Sequence, residues 1–348
     1  MKLYKKLLPT LLISAFALGA CSTPGETTKS TETPSETLVI YSGRSEDLIS
    51  PLISEYEKES GIKTEVRYLS STEAAQLLLT EKDATNAQVF LSQESGALGL
   101  LESAGLLSKL PTETTNKVPS QYSSKNNNWV GLTARARVIA YDSQTLTEAE
   151  IPNSADELID PKWAGQIGIA PTNASFIAFI TAMRIERGEE ATATWLQSLA
   201  DQGVRTYNKN GEILDAVNRG EVQLGLINHY YWFGLAKELG AEQMRAQIHF
   251  TKPKDVASLV NATGVGIMKK AGDNPQAIAF VNYLLSDAGQ TYFAQEEYEY
   301  PLVAGIESPD GLKPLSELQG PDVDLSDLNT VTESTALIEA AGLTVQTS

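Results

Sequence analysis

Short apolar segments alternate with amphipathic segments along most of this chain, and this alternation constrains the fold more than any other feature. Residues 38–41 are apolar and run into Ser42-Gly43, which predicts a buried strand that ends in a turn. Residues 46–61 then carry apolar side chains at helical spacing and end in glycine, a common helix terminator. Because strand and helix continue to alternate, the sequence predicts an α/β fold with mostly parallel strands.

The same patterns place the remaining elements. Further strands are predicted at residues 63–69, 87–91, 129–141, 165–171, 204–207, 222–227 and 258–268. Further helices are predicted at residues 71–81, 96–104, 175–187, 191–200, 213–219, 230–240 and 275–286. The long strands 129–141 and 258–268 predict two crossings between two α/β lobes, with a hinge between the lobes. Ligands of such sheets bind outside the carboxyl ends of the strands.

The N-terminal residues resemble an export signal followed by a tether. Lysines at positions 2, 5 and 6 precede a mainly apolar stretch, residues 7–20, which is too short to span a bilayer. The stretch closes with Leu-Gly-Ala and the single cysteine, Cys21, a string that resembles a lipidation site; the alternative is a plain signal peptide with a chance cysteine. We predict a signal peptide at 1–20 and a lipidated Cys21 with a disordered tether at 21–37, which would hold the body outside the cytoplasm near a membrane.

Charge and motifs restrict the classes of function. The formal net charge of −17 argues against nucleic acid or an anionic membrane surface as the main partner. The chain lacks the P-loop, the zinc-protease helix and the nucleophile-elbow motifs, and its two histidines, His229 and His249, lie far apart in sequence. A hydrolase that uses carboxylates distant in sequence remains an alternative, because such pairs leave no local motif.

The densest chemical signal is the string Asn-His-Tyr-Tyr-Trp-Phe at residues 228–233. Asn228 is a good helix N-cap after the strand 222–227, so Tyr230 and Tyr231 are predicted in the first helical turn at the carboxyl edge of the sheet. Neighbouring side chains there differ by ~100° and can converge on one ion, and the helix N-terminus favours anionic groups. The alternative interpretation is an aromatic core. His229 is predicted to point away from both tyrosines and to be structural.

A pair of tyrosines suits a hard cation. Ferric iron prefers hard oxygen ligands, and a bound trivalent cation can ionise a phenol whose free pKa is about 10. Zinc or copper would instead call for histidine or cysteine.

The body resembles the ferric-iron-binding proteins of bacterial ABC importers, a family of periplasmic iron(III) solute-binding lipoproteins. The matching strings lie at residues 38–43, 59–63, 88–90, 104–107, 135–142, 161–165, 228–232 and 299–302. The resemblance implies a two-lobe, type II periplasmic-binding-protein fold with two mixed-sheet α/β lobes joined by two crossover strands. It places residues 38–136 and 262–311 in the first lobe and residues 137–261 and 312–348 in the second.

The resemblance also implies a site. It assigns the metal ligands to Tyr230 and Tyr231, with an auxiliary anion, phosphate or carbonate, completing the iron shell. The matching anion positions are Asn173, Ala174, Ser175, Asn210 and Asn228, with Arg137 as a nearby charge. Arg135 and Arg137 share one strand face, and their alternative interpretation is solvated surface charge.

Departures from the family pattern fall in the first lobe at Ser45 and Gln93, and in the second-lobe phosphate loop at Phe176. Ser45 stands where some members supply a histidine, and Gln93, beside Glu94, stands where some supply a glutamate. Phe176 stands near an extra tyrosine of other members. Two tyrosines plus one or two exogenous anions such as carbonate, phosphate or citrate would then hold the iron, or the cargo would be a chelate. Ser45, Gln93 and Glu94 are possible first-lobe contacts, and Glu94 and Tyr141 are possible substitute ligands.

These observations predict a monomeric binding protein and not an enzyme. It would pass ferric iron to a membrane permease and an ATPase on separate chains, and would touch the membrane only through its lipid. The alternative within the same class is a binder of a phosphonate or another small organic anion, which would use the Asn, Ser and Arg side chains.

Overall fold

The computed structural model describes residues 37–345, so the predicted signal peptide, the lipidation at Cys21 and nearly all of the tether lie outside the described residues. The strands are β1 Leu38–Ser42, β2 Thr64–Tyr68, β3 Val89–Ser92, β4 Trp129–Asp142, β5 Ile167–Ile169, β6 Arg205–Thr206, β7 Leu224–Asn228, β8 Ala246–His249, β9 Val260–Ile267 and β10 Tyr300–Pro301. The helices are α1 Glu46–Ser60, α2 Ser71–Glu81, α3 Ser95–Ser103, α4 Thr112–Thr115, α5 Ala174–Arg187, α6 Glu189–Asp201, α7 Asn210–Asn218, α8 His229–Leu239, α9 Pro275–Leu284, α10 Asp287–Gln295 and α11 Val331–Ala340. The predicted α/β class is confirmed.

The sheet is mixed, and the long strand β4 joins its two halves. The strand order is β2-β1-β3-β9-β4-β7-β5-β6, with β8 and β10 also pairing with β4. Residues 129–136 of β4 pair with β9, whereas residues 137–141 pair with β7. We call β1, β2, β3, β9, β10 and residues 129–136 the first half, and β5 to β8 with residues 137–142 the second half. The predicted crossing by the strand at 129–141 is therefore confirmed.

Separate apolar cores support the two halves. Ile40, Phe90 and Phe280 belong to a buried cluster of the first half, while Phe179 and Trp195 belong to a cluster of the second half. Around α7 a further cluster packs against β7. Because each half buries its own apolar side chains, the sheet edge between them is free to form a cleft.

The C-terminal segment touches both cores. Leu325 and Leu328 pack in the cluster of the first half, whereas Val331 and Ile338 pack in that of the second. The chain therefore reaches the second core later than the predicted resumption of the second lobe at residue 312, and the lobe boundaries stay a prediction. Within residues 37–345 the helices are all too short or too polar to cross a bilayer.

Candidate functional site

The tyrosine pair lies where β7 gives way to α8. Asn228 occupies the N-cap position of α8, although its side chain makes no capping hydrogen bond, and Tyr230 and Tyr231 fall in the first helical turn. Their rings stack with centroids 4.4 Å apart and an interplanar angle of 28°. Tyr230 is only 4% exposed, whereas Tyr231 is half-buried. Two phenol groups therefore stand together at the positive end of a helix.

Burial sets the protonation of the half-buried phenol. Desolvation raises the pKa of Tyr231 well above its ordinary value, and the adjacent Tyr230 raises it further. The charge of Arg135 and a hydrogen bond from Gln93 act in the opposite direction. The phenol of Tyr231 is therefore neutral near pH 7.

The predicted first-lobe contacts have different positions. The Gln93 amide donates from Nε2 to Tyr230 Oη at 2.9 Å, so Gln93 reaches the pair directly. Glu94 instead caps α3, where its carboxylate accepts from the backbone N–H groups of Gly96 and Ala97. Burial raises the pKa of Glu94 to about 7 in spite of those hydrogen bonds. Because both of its oxygens serve the helix, the carboxylate of Glu94 is not presented to the phenols.

Ser45 and Tyr141 complete the set of predicted first-lobe contacts and substitutes. Ser45 lies in the wall of two cavities that Tyr231 also lines. Tyr141 pairs with Leu224 at the far end of β7, while Arg137 pairs with Asn228 beside the phenols. Four residues of strand separate these positions by roughly 13 Å, so the prediction of Tyr141 as a substitute ligand is wrong.

Most of the predicted anion-binding side chains converge at the start of α5. Ser175 Oγ donates to Asn173 Oδ1 at 2.7 Å and accepts from Asn210 Nδ2 at 3.1 Å. Arg137 Nη1 donates to the same hydroxyl at 3.4 Å, and Asn228 is its register partner across β4 and β7. Residues at the starts of two helices, α5 and α7, therefore form one polar cluster with Arg137 of β4 in the second half, and Asn228 of β7 lies beside it.

The two strand arginines are buried, at 1% exposure for Arg135 and 4% for Arg137, so their interpretation as solvated charges is wrong. Arg137 lies over the rings of Phe176 and Phe179, at 5.7 and 5.1 Å, and donates to the Leu226 carbonyl. Burial, together with the like charge of Arg135, lowers the pKa of Arg137 to about 9. The burial arises because β4 is an interior strand flanked on both edges.

Arg135 is the most unusual group near the phenols. None of its three guanidinium nitrogens has a hydrogen-bond partner among the described residues. The charge of Arg135 acts to lower the pKa of Glu94 and of Glu299, but neither carboxylate forms a hydrogen bond with Arg135. Because a buried cation without hydrogen bonds is costly, this position is suited to an added anion.

A third buried arginine, Arg44, was not predicted from the sequence as a site residue. It is fully buried and donates from Nη1 to Glu299 Oε1 at 2.8 Å and to Thr263 Oγ1 at 2.9 Å. Burial acts to raise the pKa of Glu299. The adjacent Arg44 guanidinium acts against burial and holds this pKa below its ordinary value. The sequence signal that could have identified Arg44 is its position two residues after β1, at the carboxyl edge of the sheet.

His229 is held by the backbone on both sides of its ring. Nδ1 accepts from the Ala136 N–H at 3.1 Å, and Nε2 donates to the Tyr298 carbonyl at 2.9 Å. Burial lowers the pKa of His229 to about 4, so the ring is neutral near pH 7. Neither nitrogen is free to bind a ligand.

Two cavities flank the phenols. A cavity of about 750 Å³ lies between the halves and is lined by Ser45, Ser70, Gln93, Asn173, Ala174 and Tyr231 among others. A cavity of about 380 Å³ reaches both tyrosines from the side of α7. These volumes match those of small-molecule sites and exceed what a bare metal ion fills. Within residues 37–345 no cluster of three or more His, Cys, Asp or Glu side chains is placed to hold a metal.

Comparison with known proteins identifies the family. The family model described as bacterial extracellular solute-binding protein matches residues 84–320. The major ferric iron-binding protein of Neisseria meningitidis serogroup B is 30% identical over 308 residues, covering 88% of this chain and 93% of that protein.

Solved structures agree. Iron-bound HitA from Pseudomonas aeruginosa superposes with a TM-score of 0.83 at 32% identity, covering 88% of this chain and 99% of that one. A Trichodesmium protein in complex with iron and citrate ligands gives a TM-score of 0.74 at 25% identity, covering 88% and 100% of the two chains. With its type II periplasmic-binding-protein fold and relatives named for ferric iron, the chain belongs to the bacterial extracellular solute-binding protein family.

Proposed function

We propose that this protein captures ferric iron outside the cytoplasm, together with a completing anion, and delivers it to the permease of an ABC importer. The observation that carries the proposal is the stacked pair Tyr230 and Tyr231 in the first turn of α8, beside a cavity between the two halves. Relatives at 30% and 32% identity are named for ferric iron or contain it.

The chemistry of the pair favours a trivalent cation. Two phenol oxygens are hard donors, and their ionisation in a buried site requires strong local positive charge. A ferric ion supplies that charge, whereas the neighbouring arginines alone leave Tyr231 protonated. His229 takes no part, because both of its nitrogens bond to backbone groups.

An anion completes the iron shell in this proposal. Gln93, a neutral amide, is the first-half side chain that bonds to the pair, so the protein offers few anionic ligands. Arg135 supplies an unpartnered charge, and Asn173, Ser175 and Asn210 supply a polar cluster that can hold carbonate, phosphate or citrate. A cavity of about 750 Å³ also leaves room for a ferric chelate.

The remaining parts of the proposal concern location and partners. Lipid attached to Cys21, after removal of residues 1–20, would tether a monomer to the membrane through residues 21–37. The permease and the ATPase would be separate chains. Capture and release would use relative movement of two lobes, for which β4 supplies a crossing.

A second candidate function is capture of a phosphonate or another small organic anion. Arg135, Arg137, Asn173 and Ser175 favour it, because buried arginines and hydroxyl or amide groups recognise such anions. The stacked phenols have no role in that function.

Ferric titration separates the two candidates. Metal-free protein beginning at Leu38 is titrated with a weak ferric chelate in carbonate, phosphate or citrate, and the visible spectrum is recorded. We expect a broad phenolate-to-iron band that saturates near one equivalent. Tyr230→Phe and Tyr231→Phe should each weaken the band and lower the affinity by more than about 100-fold, beyond the 10–100-fold cost of losing an outer partner of a metal ligand.

Tyr283→Phe is the matched control, because Tyr283 lies on α9 among other aromatic rings of the first core. It should bind iron like the unaltered protein. A colourless titration in all three anions would contradict the ferric function and favour the organic anion.

A further inference from the structure

Gln93 lies between the two halves. The proposed iron site, with two tyrosines and an anion as ligands, gives this side chain no role. Gln93 follows β3 in the first half, and its side-chain amide crosses the cleft to donate to Tyr230 Oη in the second half at 2.9 Å. One neutral side chain of the first half therefore bonds to a phenol of the second half.

The backbone of Gln93 is fixed on both sides. Its N–H donates to Ser71 Oγ at 2.9 Å, and its carbonyl accepts from Thr263 Oγ1 at 3.5 Å. The residue is 9% exposed, and it stands between β3 and the capped start of α3. These hydrogen bonds hold the backbone of Gln93 in place. The side-chain amide therefore extends toward the second half in a defined direction.

An ionised phenol oxygen accepts hydrogen bonds and cannot donate one. The NH₂ side of a carboxamide is therefore the only side that suits a metal-bound phenolate. The amide nitrogen in that orientation has no lone pair available for a metal. The contact between Gln93 and Tyr230 consequently fits a donor to a ligand oxygen and does not fit a ligand.

We propose that Gln93 is a positioning residue, which fixes the Tyr230 oxygen by donating to it across the cleft and thereby holds the two halves together over the cargo. This inference rests on the proposed ferric function for its role toward iron. The contact across the cleft itself needs no iron. A hydrogen bond to a charged oxygen is stronger than one between neutral groups, so metal binding strengthens the closed arrangement.

The test replaces Gln93 by methionine, which has a similar volume and cannot donate a hydrogen bond. A hydrogen bond lowers the energy of the phenolate lone pairs, so its loss should move the phenolate-to-iron band to longer wavelength. The iron-loaded Gln93→Met protein should still bind one equivalent but should lose iron to a competing chelator about tenfold faster, as the loss of one hydrogen bond to a charged group predicts.

Gln88→Met is the matched control. Gln88 Oε1 accepts from the Val39 N–H within the first half, so this variant loses one hydrogen bond without touching the cleft. It should keep the wavelength and the release rate of the unaltered protein. An unchanged band and rate in Gln93→Met would overturn the inference, and so would complete loss of the band at an unchanged thermal midpoint, which would make Gln93 a ligand.

Small-angle scattering of the iron-free proteins supplies the readout that does not depend on iron. Gln93→Met should have a larger radius of gyration than both the unaltered protein and Gln88→Met, because it lacks the bond between the halves. Equal radii would overturn the contact across the cleft. If the unaltered protein stays colourless with ferric iron, the ferric function fails, while the scattering result still decides whether Gln93 joins the halves.

Discussion

Single residues in this cleft differ in chemistry according to what surrounds them. Glu94 and Gln93 are neighbours in sequence. The carboxylate of Glu94 accepts hydrogen bonds from the backbone at the N-terminus of α3, whereas the amide of Gln93 donates to the phenol of Tyr230. A buried carboxylate already bonded to backbone donors gains little by turning to a metal. A neutral amide can therefore take the position nearer to the ligands.

Arg135 leads to a prediction about the anion. Arg135→Met removes a buried guanidinium that has no hydrogen-bond partner in the described part of the chain. If that charge holds the completing anion, the variant should bind ferric iron about 10–100-fold more weakly in carbonate, and omitting carbonate should make little further difference. Iron affinity measured by competition in buffers with and without carbonate checks this.

The half-exposed Arg67 on β2 is the control, and Arg67→Met should keep the full response to carbonate. An Arg135→Met protein that responds to carbonate as strongly as the unaltered protein would remove Arg135 from the anion site.

Tyr230 and Tyr231 could be predicted from the sequence as residues of one helical turn, because an N-cap residue, a preceding strand and a following apolar period are all local signals. The burial of Arg44 and Arg135 could not be predicted. Both side chains are covered by elements distant in sequence, such as the segment around Glu299 that bonds to Arg44. A charged residue in a strand is usually exposed, so local pattern favoured the wrong environment.

Helices and strands that are fixed by local sequence could be predicted, whereas those that depend on contacts distant in sequence could not. The predicted bounds of α2 match the structure, since Ser70 and Glu73 form a capping box that fixes the first turn. The strands β8 and β10 were not predicted. β10 has two residues, and its strand geometry comes from pairing with residues 133 and 134 of β4. The helices α4, α10 and α11 were also missed.

The start of α8 leads to a prediction about pH. His229 anchors this helix turn to Ala136 on β4 and to Tyr298, and burial lowers its pKa from 6.5 to about 4. Between those values the unfolded chain binds the proton and the folded protein does not, so the contribution of His229 to the free energy of unfolding rises with pH. The contribution is present above pH 6.5 and is lost as the pH falls through 4, and it amounts to at most about 3 kcal/mol.

Urea unfolding of the iron-free protein at pH 4 to 7 measures this contribution. The difference in free energy of unfolding between the unaltered protein and His229→Gln should grow as the pH rises from 4 to 7. Buried carboxyl groups with a raised pKa, such as Glu94, contribute equally to both proteins and cancel in that difference. His249→Gln is the natural control, because His249 is partly exposed and burial lowers its pKa less. Identical pH dependence of His229→Gln and the unaltered protein would show that this ring does not control the stability of the α8 start.

At the scale of the whole molecule, two separately packed halves share β4, and the proposed ligands lie where the halves face each other. The long apolar strand at residues 129–141 was a sufficient signal for that crossing, because few soluble folds need so long a strand in an otherwise short-stranded sheet. The path of residues 312–328 along the first core carried no such signal, because that segment has no long apolar period. The two-half architecture could therefore be predicted from the apolar pattern of the sequence, while the path of the C-terminal segment could not.

The central claim is that one ferric ion is bound by both phenols of the α8 turn. Anomalous-difference crystallography of the iron-loaded protein, with data above and below the iron absorption edge, tests this most directly. We predict one iron peak within bonding distance of the Oη atoms of Tyr230 and Tyr231, with density for an anion on the side of Arg135. A crystal that contains iron elsewhere, or one whose phenol oxygens contact only protein and water, would contradict the account.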